Sequence, residues 1–122
     1  MTRLTWHRQN RRGGSYAAEP VLVLFDDGAN TAARRTRFYV TQRTEEPPTW
    51  IWSALAYPAV EGGTSAEIDG VARYHTMKQA YNAAERAAMQ GFYWHNGEWL
   101  PNGTTRDFPD GIASPAETVR ES

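Results

Sequence analysis

The side chains able to move protons near neutrality are few. His7, His75 and His95 are the only histidines among 122 residues, and there is no cysteine. The histidines share no ligand spacing such as His-x-x-x-His, so they read as strand-surface and turn residues rather than metal ligands. Asp26-Asp27-Gly28-Ala29-Asn30 has the acid content of a calcium loop, but lacks the alternating aspartates and the closing bidentate glutamate, and reads as a turn. Gly13-Gly14 follows Arg11-Arg12, yet no strand, glycine loop and helix follow in the order that a phosphate cradle needs. No serine occupies a Gly-x-Ser-x-Gly elbow. Asn102-Gly103-Thr104 matches a glycosylation sequon, which carries meaning only for a secreted chain. Glu85 and Arg86 read as a solvated pair. The residues therefore point to no catalytic group, no cofactor and no metal.

Charge is more informative in its distribution than in its total. The net charge is −1, with 13 basic against 14 acidic residues. The first 43 residues hold eight arginines against Glu19, Asp26 and Asp27, whereas the remainder is acidic. Arg11, Arg12, Arg35, Arg37 and Arg43 are thus the candidates for contact with phosphates or nucleic acid. Against this, a domain-wide basic excess is missing, and a solvated strand face answered by the acidic half explains the same residues.

Aromatic residues form the second candidate set. Leu, Ile, Val and Phe together are scarce, and five Trp and six Tyr must supply the missing apolar surface. Trp50 and Trp52 fall on one face of a strand. Open and bordered by Arg35, Arg37 and Arg43, that face would stack single-stranded bases; covered by a helix, it is core. Tyr93, Trp94 and Trp99 flank an Asn96-Gly97 turn and are candidates for contact with a protein partner, because Trp, Tyr and Arg dominate such contacts.

The elements that must position these groups follow from periodicity. The chain length fits one domain large enough to fold without cross-links. Residues 4–8 alternate apolar and polar, and 15–19 read as a short return strand. Residues 21–25 (Val-Leu-Val-Leu-Phe) are continuously apolar, which predicts a central strand buried on both faces. Strands are expected over 35–42 and 50–57, and a loop over 58–70. Thr76 stands three residues before Gln79, the capping-box spacing. It opens an alanine-rich helix over 76–90, facing the sheet through Met77, Ala80, Tyr81, Ala84 and Ala88, with Gly91 in the left-handed position after it. Residues 92–100 read as a tight hairpin, since Asn-Gly favours a primed turn.

The expected fold is α+β: an antiparallel sheet of four to six short strands packed by one helix in the C-terminal half, then the aromatic hairpin. The domain spans 1–100, and 101–122 form an irregular tail that could fold back over the hairpin through Phe108 and Ile112. The start of the chain has no apolar run of signal-peptide length, and no stretch approaches the ~20 apolar residues of a membrane span. With the missing cysteine, the expected setting is the cytoplasm.

The order Trp6…Gly14-Ser15-Tyr16…Phe38-x-Val40…Trp50-x-Trp52…Thr76-Met77-Lys78-Gln79-Ala80…Ala84-Glu85 resembles small uncharacterised proteins of actinobacteria and their phages. In these, several strands lead to a threonine-initiated, alanine-rich helix. The resemblance covers residues 4–90, carries no catalytic residues, and implies an accessory protein that acts by binding. The expected function is a small non-enzymatic module whose partner is another protein, a host protein or a second copy. Nucleic-acid binding through the arginine cluster is the alternative, and a small enzyme with a fold-assembled site a third.

Overall fold

The structure is a computed structural model that describes residues 4–9, 14–44, 46–70 and 72–103. Arg11, Arg12 and residues 104–122, to which the tail expectation mainly refers, lie outside the described residues. The fold is mixed α+β, one helix on a sheet of eight strands, more than the expected four to six. In chain order these are β1 (Trp6–Arg8), β2 (Ser15–Ala18), β3 (Val21–Asp26), β4 (Thr31–Arg43), β5 (Thr49–Ala56), β6 (Ala66–Asp69), α1 (Met77–Gln90), β7 (Phe92–His95) and β8 (Glu98–Pro101).

The long strand β4 organises the sheet. β2 and β3 both pair antiparallel with it, Ala17 opposite Tyr39 and Val21 opposite Thr36. Four steps along one strand thus match three along the other. One residue is extra, which marks a bulge at Glu19-Pro20, where proline's missing N–H breaks no ladder. β5 pairs antiparallel with β4, and β6 lies outside β5. β6 falls in the span expected to be loop. Its residues alternate apolar and polar, Ala66-Glu67-Ile68-Asp69, but over four positions with one large apolar side chain, so pairing with β5 is needed to make it a strand.

The helix is built as its cap spacing predicts. The Thr76 hydroxyl accepts from the Gln79 amide at 3.1 Å, and Gln79 Oε1 accepts from the Thr76 amide at 3.2 Å. Ala80, Ala83, Ala84, Ala87 and Ala88 are buried, with Met77 and Tyr81 partly so. Small side chains let the helix axis approach β3, β4 and β5 closely. Gly91 ends the helix with φ 80° and ψ −173°, a positive φ but not the left-handed helical conformation expected there.

Because the helix covers one face of the sheet, residues on the other face meet water. This corrects the reading of β3: Val23 and Phe25 are buried, while Leu22 is 73% exposed and Leu24 is also exposed. The covered face carries an aromatic core of Phe25, Phe38, Trp52 and Phe92 over the alanines. Phe25 stacks on Phe92 with centroids 5.0 Å apart. Trp52 is buried and Trp50 packs against the core, so this pair is no open stacking platform.

Candidate functional site

The hairpin of β7 and β8 owes its shape to a two-residue turn. Asn96 and Gly97 take φ of 48° and 82°, both positive as a primed turn requires. This turn sets Trp94 directly opposite Trp99 and Tyr93 opposite Leu100. The hairpin joins the sheet by parallel pairing of β7 with β3, Phe25 beside Phe92. Phe92 is thereby driven into the core, and the side chains on its face follow at increasing height.

Those side chains are the two tryptophans. Cross-strand partners share a face, so Trp94 and Trp99 lie side by side and differ in depth. Trp99 packs edge-on against Phe25 at 5.0 Å, and Trp94 packs edge-on against Trp99 at 5.1 Å. Trp94 remains 48% exposed. Tyr93 belongs to the other face, half-buried, with its ring 6.1 Å from that of His95.

A cleft of about 460 Å³ opens beside the pair, bordered by Arg34, Thr64, Ser65, Trp94 and Trp99. It lies where β8 approaches β6 across the curved sheet. Arg34 is 9% exposed. Its Nε donates to the Tyr57 carbonyl at 2.8 Å and its Nη2 to the Thr64 carbonyl at 2.7 Å. The guanidinium carbon stands 5.1 Å from the centroid of the Phe25 ring. Burial lowers the Arg34 pKa from its ordinary value. A second cleft lies along Trp94, bordered by Asp27 and Ala29. Asp27 caps the β3–β4 turn, its Oδ1 accepting from the Ala29 and Asn30 amides at 2.9 and 2.7 Å. Those bonds, that of Asn30 foremost, lower its pKa. Trp94 is thus a blade between a cationic and an anionic side.

Arg34 does not stand out as a site residue in the sequence, because the strand is expected to begin at Arg35. The signal was present in the Arg34-Arg35 pair: in a strand, adjacent side chains point to opposite faces, so one arginine had to turn inward. Arg35, Arg37 and Arg43 alternate on the outward face of β4, with Tyr39 among them. Arg37 is half-buried, and its Nε donates to the Ala18 carbonyl at 3.2 Å. Glu67 and Asp69 of β6, in register with Leu55 and Ser53, stand on the same outward face.

Among the described residues no group of three or more His, Asp or Glu could hold a metal ion. His7 pairs with Glu19 at 3.2 Å, both exposed, a contact of little energetic weight. No helix of the described residues is long and apolar enough to cross a membrane. In comparisons with family models, curated proteins and solved structures, none matches the chain.

Proposed function

We propose that this chain is a small non-enzymatic binding protein whose partner is another protein, gripped at the Trp94 edge of the hairpin. The observation that carries this reading is a tryptophan 48% exposed yet held in place by Trp99, which rests on Phe25. A large ring kept rigid and half in water loses little conformational freedom on binding and offers much apolar surface. A cleft on either side of it supplies the recessed shape into which a partner fits. An accessory role for a phage or bacterium, in a cytoplasm that suits a cysteine-free chain, agrees with this reading.

The test is a comparison of three immobilised baits in a lysate of the cells that make the protein: wild type, Trp94→Ala and Leu22→Ala. Leu22 is more exposed, at 73%, and lies on the face of β3 that the helix leaves open. A protein retained by wild type and Leu22→Ala but lost from Trp94→Ala supports the reading. Identical retention by all three sinks it.

A second reading has its own observation, the row of Arg35, Arg37, Tyr39 and Arg43 on the outward face of β4. It would bind single-stranded nucleic acid by phosphate contact and stacking. Glu67 and Asp69 on that face oppose it. If it held, oligonucleotide affinity would fall with salt at a slope of roughly −0.7 per phosphate contact, and Arg35→Ala with Arg43→Ala would flatten that slope. The expectation is no tight complex at physiological salt.

A further inference from the structure

Arg34 is the one feature of the hairpin cleft whose chemistry is incomplete. An arginine nine-tenths buried remains charged, and a buried cation without an opposing charge is costly. No carboxylate of the described residues makes an ion pair with it. Its two hydrogen bonds go to neutral carbonyls and use only part of the guanidinium's donor set. Glu67 and Glu98 border the cleft, but alternation sends their side chains to the outward face with Leu55 and His95. The cleft is therefore a recess with a fixed cation, and its wall is the Trp94–Trp99 pair.

We infer that this cleft receives a carboxylate of the polypeptide partner, bound to the Arg34 guanidinium while the adjoining apolar side chain packs on Trp94 and Trp99. The planar fork of arginine is matched to a carboxylate, and such charge-assisted bonds are stronger than neutral ones. The Phe25 ring beneath and the bonds to the Tyr57 and Thr64 carbonyls hold the fork in place before binding. A peptide suits the site better than a polyanion because Asp27 lies along the other side of Trp94. A chain of phosphates crossing the blade would meet that carboxylate, whereas a peptide presents a single negative group. The carboxylate can be a chain terminus or an acidic side chain.

This inference rests on the hairpin being the contact surface, and the experiment separates the two. The ¹⁵N-labelled protein is titrated with three acetylated dipeptides at millimolar concentration. These are glycyl-phenylalanine with a free terminus, the same dipeptide as its amide, and glutamyl-phenylalanine amide. The signals followed are the Arg34 Nε–H and the indole N–H of Trp94 and Trp99. Saturable shifts with the first or third peptide are expected, with the neutral amide at least about tenfold weaker. The first against the third tells terminus from side chain. Arg34→Gln should abolish the preference for acid over amide, and Arg35→Gln, which removes the same charge from the outward face, should keep it. Should Arg34→Gln fail to fold, the acid–amide comparison on the wild type still decides. Equal binding of acid and amide at the tryptophans would overturn the carboxylate assignment and leave the hairpin reading standing. So would a lack of response to all three peptides while Trp94→Ala still releases a captured protein.

Discussion

Replacing Gly91 by alanine should be among the costliest single changes in the molecule. The residue joins α1 to β7, its amide donating to the Ala87 carbonyl at 2.9 Å and its carbonyl accepting from the Asn102 amide at 2.8 Å. Its φ of 80° with ψ of −173° lies in a region that only glycine occupies readily, where any other residue is strained by about 1–3 kcal/mol. A methyl group there would also sit 2.6 Å from the Leu24 carbonyl oxygen and 3.3 Å from Leu24 Cβ. That contact is with backbone of β3, so relief requires the helix end and the strand to separate. Taken together the loss should reach about 3–4 kcal/mol, a large share of the stability of a typical small domain. Gly97→Ala is the matched control: its φ is also positive, at 82°, but nothing stands within 4 Å of the added carbon. Its cost should be the conformational one alone, about 1–2 kcal/mol. Urea unfolding followed by tryptophan fluorescence measures both. If Gly91→Ala cost no more than Gly97→Ala, the close approach of helix end and β3 would be wrong, and with it the docking of the hairpin.

Three further outcomes are expected. Thr76→Ala removes the capping hydroxyl and should cost about 0.5–2 kcal/mol by urea unfolding. Gln79→Ala should lose part of the same energy, and the double variant less than the sum, because the two side chains serve one box. Tyr81 has its phenol pKa pushed up to about 12, by burial first and by Tyr16 second. The unfolded chain releases that proton near pH 10, so this contribution to stability is complete below about pH 10 and is lost as pH rises towards 12. Unfolding midpoints across that interval should fall more steeply for wild type than for Tyr81→Phe, and parallel curves would refute the shift. Trp99→Ala should destabilise clearly more than Trp94→Ala, since it also empties the contact with Phe25; equal losses would mean that both rings are core.

Much of the scaffold was legible because its signals are local. The Thr76–Gln79 spacing, the alanine run and the Asn96-Gly97 turn each specify backbone geometry within a few residues, and each stands where it was expected. The alternation of β4 and β5 likewise separated Phe38, Val40, Trp52 and Ala54 from their outward neighbours. What was not legible depends on distant partners. Leu22 and Leu24 read as buried because an apolar run does not say how many faces of its sheet will be covered. β6 alternates over only four residues, too few to stand out of the surrounding loop without its pairing to β5. The parallel docking of β7 on β3, which places Trp94 and Trp99 over Phe25, comes from the helix returning the chain to that edge. Arg34 lay between: strand alternation implied an inward arginine, but only the approach of β8 to β6 makes its surroundings a cleft.

The claim that the hairpin edge is the contact surface is tested most directly by cross-linking from inside it. A photoreactive phenylalanine analogue is placed at position 94, and in separate variants at positions 22 and 60, both more exposed, the first on the face of β3 that the helix leaves open and the second in the loop between β5 and β6. Irradiation of the producing cells followed by mass spectrometry should give one discrete protein adduct from position 94 and none of it from 22 or 60. An adduct formed equally from all three positions, or from position 22 alone, would contradict the account.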